Sequence, residues 1–347
     1  MAHIDVFNQR AFQMVSLTAA VNKMPYRPHL LGGMGIFTPN RVRTTSVSVE
    51  EKNGVLNLIA ASDRGAPLNE KKADKRNLRN FNTLRLAKGS TIYADEIQSV
   101  RAFGSESELA QISDIVTDRL SGPTGLLSEI ALTRENLMLG AVQGIVLDAD
   151  GTTSLVNWYT EFGITQATEI DFDLDNATPA SGAVRKKCNQ VMRAMKKAAA
   201  GAWIDGMTYA MAICGDNFFD DLVAHEEIRK TYLNQQEAGQ LRNDVGNAYE
   251  SVRYGGILFV NYRGTDDGTS IAVGIDQCKF FPVDAPGVFQ EAFSPAEFMP
   301  FVNTPGQNFY AMIVPDKERE AWVRPEVYSY PLPICTRPGM LQRARRT

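Results

Sequence analysis

Histidine is scarce in this sequence, with three in 347 residues. Chemistry near neutral pH most often recruits that side chain, and two of the three, His3 and His29, fall in the amino-terminal stretch. The third begins His225-Glu-Glu-Ile-Arg229 and lacks the second histidine at i+4 that a zinc-binding His-Glu-x-x-His helix requires, so it reads as a satisfied histidine on a helix surface. Cysteine is equally sparse. Cys188, Cys214, Cys278 and Cys335 form no Cys-x-x-Cys pair, which excludes a locally written zinc or thioredoxin-like site and leaves buried free thiols as the expectation. No run of about 18 apolar residues is present, so no membrane-spanning helix is predicted. Residues 1–10 lack a basic segment followed by an apolar one, so secretion is not expected and the expected compartment is cytoplasmic.

Motifs for bound phosphate or metal are missing as well. Gly32-Gly-Met-Gly35 has neither the Gly-x-Gly-x-x-Gly spacing nor a flanking strand, and no Gly-Lys-Ser/Thr loop occurs. Asp148-Ala-Asp-Gly151 begins like a calcium loop, but Thr152 replaces the third ligand and Tyr159 stands where the bidentate glutamate belongs, so a turn is expected. There is no Gly-x-Ser-x-Gly elbow. No cofactor and no catalytic residue are assigned on this reading. The alternative left open is a soluble enzyme whose site is assembled from distant residues.

What is present is an ordinary globular composition, 44% hydrophobic and 22% charged, long enough for two or three domains. The net charge of -4 conceals two opposed blocks. Residues 41–88 hold eleven basic and five acidic side chains, a balance of +6; residues 104–175 hold two basic and thirteen acidic, a balance of -11. Such asymmetry fits a charged partner, including another copy of the same chain.

Periodicity predicts a mixed α+β chain. A short helix is expected over 11–22. Thr45–Glu51 alternates apolar with polar residues, Lys52-Asn53-Gly54 offers a turn and Val55–Ile59 returns, a hairpin signal. Asn80–Leu86 is a second strand, and the hydrophobe-poor stretch between makes a long polar β-arm. Leu109–Leu120 and 125–147 read as one long helix broken at Ser121-Gly-Pro123, with a strand over 154–162. A helix opening at Pro179 puts Val184, Cys188, Val191, Met192 and Met195 on one face and Arg185, Lys186, Lys187, Arg193, Lys196 and Lys197 on the other. Strands are expected at 207–214, 256–262, 271–275 and 309–314, with a helix at 216–234. The last forty residues, with Pro315, Pro325, Pro331, Pro333 and Pro338, are expected as extended edge segments.

This order, together with Leu132-Thr-Arg-Glu-Asn136 leading into Gly144–Gly151, Val156–Gly163, Gly215–Leu222, Val302–Gly306 with Tyr310-Ala311, and Tyr330–Pro338, resembles the lambda-type major capsid proteins of tailed bacteriophages, the capsid protein E family. The resemblance implies an HK97-like fold: an amino-terminal arm at 1–40, an extended E-loop at 41–98, a peripheral domain with the long spine helix at 99–178 and 316–347, and an axial domain at 179–315. It implies pentamers and hexamers forming an icosahedral head shell around the genome, assembled in the host cytoplasm on a scaffolding protein, filled through a portal and ending in the virion. An encapsulin-like cargo shell of the same fold is the alternative within that architecture.

The charge blocks acquire a meaning in that setting. An isolated hairpin is marginal in water, so Lys71, Lys72, Lys75, Arg76 and Arg79 are expected to dock on a neighbouring subunit's acidic helix near Glu106, Glu108, Asp114 and Asp118. Arg343, Arg345 and Arg346 give the carboxy terminus a basic character suited to nonspecific contact with packaged DNA, an ordinary disordered tail being the alternative. Some members of the wider fold class crosslink an E-loop lysine, for which Lys71, Lys72, Lys75 and Lys88 are available; the lambda-type resemblance implies a decoration protein instead.

Overall fold

The structure is a computed structural model, and it describes residues 14–22, 30–52, 76–99, 108–122, 124–176, 178–233, 251–262 and 272–347. It opens with α1 (Met14–Val21) and the short α2 (Leu30–Gly33), followed by β1 (Thr38–Arg41), β2 (Ser46–Lys52) and β3 (Arg76–Asn82). β2 and β3 pair antiparallel over their whole length, from Ser46 opposite Asn82 to Lys52 opposite Arg76. The alternation at 45–51 thus identifies a strand, but the described partner is 76–82; the expected return at 55–59 lies outside the described residues. Long-range packing favours this pairing. Val47, Val49 and Phe81 share a buried face, and Phe81 meets Trp158 edge-on at 5.2 Å between ring centres.

β4 (Leu86–Gly89), β5 (Ile92–Tyr93) and α3 (Ala94–Ser99) lead to α4 (Glu108–Ser121) and α5 (Leu126–Gln143). The long helix is broken as predicted, but it stops at Gln143 rather than 147. Gly144 closes it at φ 87°, a conformation that disfavours a side chain, and a Cβ there would also run into the Tyr159 ring. At Gly140 a Cβ would lie 2.7 Å from the Val146 Cα. Its absence lets the chain fold straight back on the helix as β6 (Ile145–Leu147), which pairs with β7 (Ser154–Asn157).

The strand predicted over 154–162 ends at Asn157 and becomes α6 (Trp158–Phe162). The Asn157 side chain caps this helix, accepting the N–H groups of Tyr159 (3.1 Å) and Thr160 (3.3 Å). β8 (Ile170–Asp171) precedes α7 (Ala183–Ala198), β9 (Tyr209–Cys214), α8 (Asp216–Ala224) and α9 (Glu226–Leu233). α7 starts four residues after Pro179, and the helix expected at 216–234 is divided at His225. β10 (Ser251–Tyr254), β11 (Ile257–Asn261), β12 (Gln277–Val283) and β13 (Phe289–Phe293) follow. The strand predicted at 271–275 is displaced to 277–283, because the Ile275 carbonyl is taken by the Phe218 N–H at the start of α8 (3.1 Å). β14 (Tyr310–Pro315), β15 (Trp322–Ser329), β16 (Pro331–Cys335) and β17 (Gln342–Arg345) complete the order.

Three larger sheets result: β1-β13-β16, β10-β11-β9-β12-β17-β8, and β14-β15-β4 with β5 beside β15. Of the proline-rich end, β14, which ends at Pro315, and β16 are edge strands as expected. β15 lies between β14 and β4, and β17 between β12 and β8. Pro325 gives up one donor inside β15, yet its carbonyl still accepts the Ser90 N–H at 3.0 Å. The sequence division at 315/316 falls within the β14–β15 hairpin.

The six-stranded sheet carries apolar layers on both faces. α7 sets Val184, Cys188, Val191 and Met195 on a core that includes Phe259 and Phe280, while Met211, Ile213 and Phe281 belong to the core built on Leu137 and Met138 of α5. All four cysteines are free and buried. Cys214 and Cys278 face each other across β9 and β12 with 3.2 Å between the sulfur atoms.

Candidate assembly and nucleic-acid surfaces

The β2–β3 arm is fastened at its root to its own chain. Arg79 donates from Nη1 to the Glu161 carbonyl and holds its guanidinium 5.5 Å from the Phe162 ring centre. Lys88 of β4 pairs with Glu129 of α5 at 2.7 Å, and Arg119 of α4 pairs with Glu96 of α3 at 2.7 Å. Through Lys88 and Glu129 the oppositely charged blocks already meet within one subunit. Each pair is exposed and individually weak.

Of the nine interface candidates, Arg79 is placed on α6 and Asp118 is exposed on α4. Arg76, Glu108 and Asp114 have described backbone positions in β3 and α4, without described side chains; Lys71, Lys72, Lys75 and Glu106 lie outside the described residues. The structure thus brings none of the predicted cation–anion pairs together in one subunit among the described side chains. Exposed apolar groups occur near the same arm and elsewhere: Leu78 on β3 is 66% exposed, and Met299 in the turn at 299–301 is 88% exposed.

Sequence reasoning missed two buried ionic groups on α5. The fully buried Glu135 accepts the Leu31 N–H (2.8 Å), the Gly32 N–H (3.0 Å) and the Tyr262 hydroxyl (3.0 Å), so one carboxylate joins α2, α5 and the end of β11. Its neighbour Arg134 grips Glu291 of β13 through contacts of 2.7 to 3.0 Å and lies over Phe293 and Phe309. Burial pushes the Glu291 carboxyl above its usual value, and Arg134 opposes that shift. The available signal was an adjacent Arg-Glu pair just ahead of the apolar run 137–142 in the same helix.

Arg343 and Arg345 are part of the six-stranded sheet and Arg346 directly follows it, so the segment is not a disordered tail. Arg346 pairs with Asp221 (2.7 Å) and Asp276 (3.1 Å), Arg345 lies 3.7 Å from Asp171, and Arg343 donates to the Ala167 carbonyl (2.9 Å). Their geometry anchors β17 to its surroundings.

α7 carries a second cationic surface. It has no acidic residue, and Arg185, Lys186, Arg193, Lys196 and Lys197 are exposed. Its amino terminus, which follows a glycine and lacks a side-chain cap of its own, is capped from outside. Glu227 accepts the N–H groups of Val184 (3.2 Å) and Arg185 (3.4 Å). Arg337 donates to the Ala199 and Ala200 carbonyls at the other end. Anion at the amino end and cation at the carboxyl end both match the helix dipole.

His225 is buried at the joint of α8 and α9, not on a helix surface, and its Nδ1 accepts the Glu227 N–H at 3.3 Å. The Asp148–Gly151 segment is a turn between β6 and β7. Asp150 accepts the N–H groups of Thr152 (2.9 Å) and Thr153 (2.8 Å), bonds that, with the Thr153 hydroxyl, hold its carboxyl well below the ordinary range. Among the described residues no cluster of three or more His, Cys, Asp or Glu side chains is arranged for a metal ion. No described helix is long and apolar enough to cross a membrane.

The family model for phage major capsid protein E matches residues 13–346. The major capsid protein of Salmonella phage Felix O1 (isolate Felix O1-VT1) is 28% identical over 364 aligned positions, covering 96% of each chain. That of Pseudomonas phage KPP10 is 27% identical, covering 90% of this chain and 91% of its own. Among solved structures, a protein assigned as the capsid protein of an E. coli CFT073 prophage superposes with a TM-score of 0.56 at 13% identity, covering 96% of this chain and 99% of that one. The capsid of cyanophage P-SCSP1u gives 0.51 at 10% identity, covering 94% and 90%. The fold is α+β and of the HK97-like capsid type.

Proposed function

The chain belongs to the phage major capsid protein E family and is a subunit of the capsid shell of a virion; from that premise we propose that it assembles as pentamers and hexamers into an icosahedral head enclosing the genome. The match across residues 13–346 carries this reading. Before assembly the subunit resides in the host cytoplasm. A scaffolding protein, a portal and a decoration protein are the partners that this role calls for, and the subunit itself has no catalytic part.

Within that shell, residues 41–98 act as an E-loop. Arg79, Phe81 and Lys88 hold its root on the parent subunit, an arrangement that supports a role for its more distant cations on a neighbour. Lys71, Lys72, Lys75 and Arg76 dock on the adjacent copy near Glu106, Glu108, Asp114 and Asp118. Single contacts of this sort are weak, but a closed shell repeats them many times. Residues 179–315 are proposed as the axial domain and 99–178 with 316–347 as the peripheral domain, except that β13 and β14, which pair with β16 and β15, belong on the peripheral rather than the axial side.

The test is expression of the chain with its scaffold, followed by negative-stain microscopy. Closed shells are expected. A monomer that forms no rings or shells at high concentration overturns the reading. Reversing the charge of Lys71, Lys72, Lys75 and Arg76 is expected to lower shell yield and shift its salt dependence; unchanged yield and salt dependence refute the proposed docking alone.

A further inference from the structure

We propose that the outward face of α7 is the surface on which this subunit meets duplex DNA, an inference that rests on the reading of the shell as a container for the genome. The inward face of the helix is consumed by packing, with Val184, Cys188, Val191 and Met195 all buried. The outward face places Arg185, Lys186, Arg193, Lys196 and Lys197 within one arc, interspersed with exposed Asn189 and Gln190. From residue 185 to 197 the helix runs for about 18 Å. A duplex of that length presents about ten phosphate charges.

Partners within the chain account for part of this face only. Lys196 pairs with Asp205 at 2.8 Å, and Arg185 lies over the Tyr254 ring at 5.8 Å. Lys186, Arg193 and Lys197 have no acidic partner among the described residues. Glu227, the acid at the amino end of α7, is engaged by helix N–H groups and the Tyr254 hydroxyl.

A second copy of the chain is the competing occupant. It is the poorer fit, because Glu96, Glu129, Asp171, Asp221 and Asp276 are already paired with cations of their own subunit, and exposed acids outside those pairs, such as Asp118 on α4 and Asp220 on α8, sit on separate helices rather than in a closely spaced row. A polyanion with closely spaced phosphates and no cations of its own supplies what the helix lacks. The Asn189 and Gln190 amides add donors, and none of these side chains reads a base, so binding is independent of sequence.

The triple variant Lys186→Gln/Arg193→Gln/Lys197→Gln keeps good helix formers at each position and removes three charges. Binding of unassembled full-length chain to a labelled DNA duplex is followed by fluorescence anisotropy across a salt series, with circular dichroism and shell formation measured in parallel. At about 0.9 per released counterion, the slope of log affinity against log salt is expected to become shallower by about 3 in the variant. The charge-keeping Lys186→Arg/Arg193→Lys/Lys197→Arg protein is expected to retain the original slope. If the triple variant is misfolded, single Lys186→Gln is measured instead, with an expected change of about 0.9. An unchanged slope overturns the proposal. Loss of shells with unchanged DNA binding also overturns it and assigns the face to a second copy. Failure of the unaltered chain to form shells counts against the container reading instead, a result that the binding arm cannot produce.

Discussion

Tyr262 donates its hydroxyl to Glu135 at 3.0 Å, tying the end of β11 to the middle of α5 across 127 positions of sequence. The same carboxylate receives the Leu31 and Gly32 amides. Glu135→Ala leaves three donors without their acceptor, and at roughly 1–3 kcal/mol for each buried orphan a loss of about 3 kcal/mol or more is expected in urea unfolding. Amide exchange at Leu31 and Gly32 is expected to accelerate together. Tyr262→Phe removes one of the three bonds and is expected to cost about 1 kcal/mol. Equal effects of the two variants would contradict a shared hub.

Arg134 and Glu291 form the other buried ionic contact. Arg134→Met strands a carboxylate and is expected to destabilise by about 3–5 kcal/mol, whereas Arg134→Met with Glu291→Leu is expected to recover most of that loss. The single variant also has a predicted pH dependence. Burial already raises the Glu291 carboxyl, and removing the opposing cation lets it rise further. The folded state then binds a proton more readily than the unfolded state. Stability should therefore be greatest below the ordinary glutamate value and decline as pH rises through the elevated folded value. A deficit that shrinks at high pH would refute this account.

The two faces of the arm predict opposite outcomes. Phe81, buried against Trp158 and Phe162, anchors the arm root; Phe81→Ala is expected to cost about 3–5 kcal/mol in the isolated subunit. Leu78 is 66% exposed on the same strand. Leu78→Ala is expected to stay within about 0.5 kcal/mol of the parent protein and to reveal itself, if at all, in shell yield. Thermal denaturation of both proteins distinguishes them.

Thiol reactivity reports on the interior. Burial pushes Cys188 and Cys335 up to about 12, and Cys278, held beside Cys214, lies well above the ordinary thiol value. At pH 8 the thiolate, which is the reactive form, is almost unpopulated at these positions. A disulfide-exchange reagent is expected to titrate essentially none of the four cysteines in the native subunit and all four in urea. Prompt reaction of one native thiol would show that its strand opens readily.

Legibility in the sequence followed the range of the interaction involved. Helical periodicity from Leu109 to Val142 and the amphipathic pattern of α7 were readable because neighbours three and four residues apart decide them. Gly144 and Asn157 were harder: each ends or starts an element through backbone geometry and a capping bond, and apolar runs continue across both. The partner of β2 was not legible, since its choice depends on Trp158 and Phe162, more than seventy positions away. The charge blocks pointed to electrostatic contact, but not to Arg79 meeting α6 or Lys88 meeting α5 within one chain. For the carboxy-terminal arginines, composition alone gave a basic tail; Asp171, Asp221 and Asp276, which receive Arg345 and Arg346, and the Ala167 carbonyl, which receives Arg343, come near them only in the folded chain.

The position of β17 has a consequence for synthesis. Ala344 pairs with Ile170, 174 residues earlier, and the same strand covers the outer edge of β12. At translation rates of about 5–20 residues per second, roughly 10–35 s separate the emergence of β8 from that of its mate. For about the last 3–12 s of that interval, between the emergence of β12 and that of β17, β12 offers an open hydrogen-bonding edge, the kind that recruits strands from other nascent chains. Subunits crowded on one messenger are thus exposed to mispairing until the ribosome releases residue 345, and a holdase acting on that edge would act before any shell contact exists.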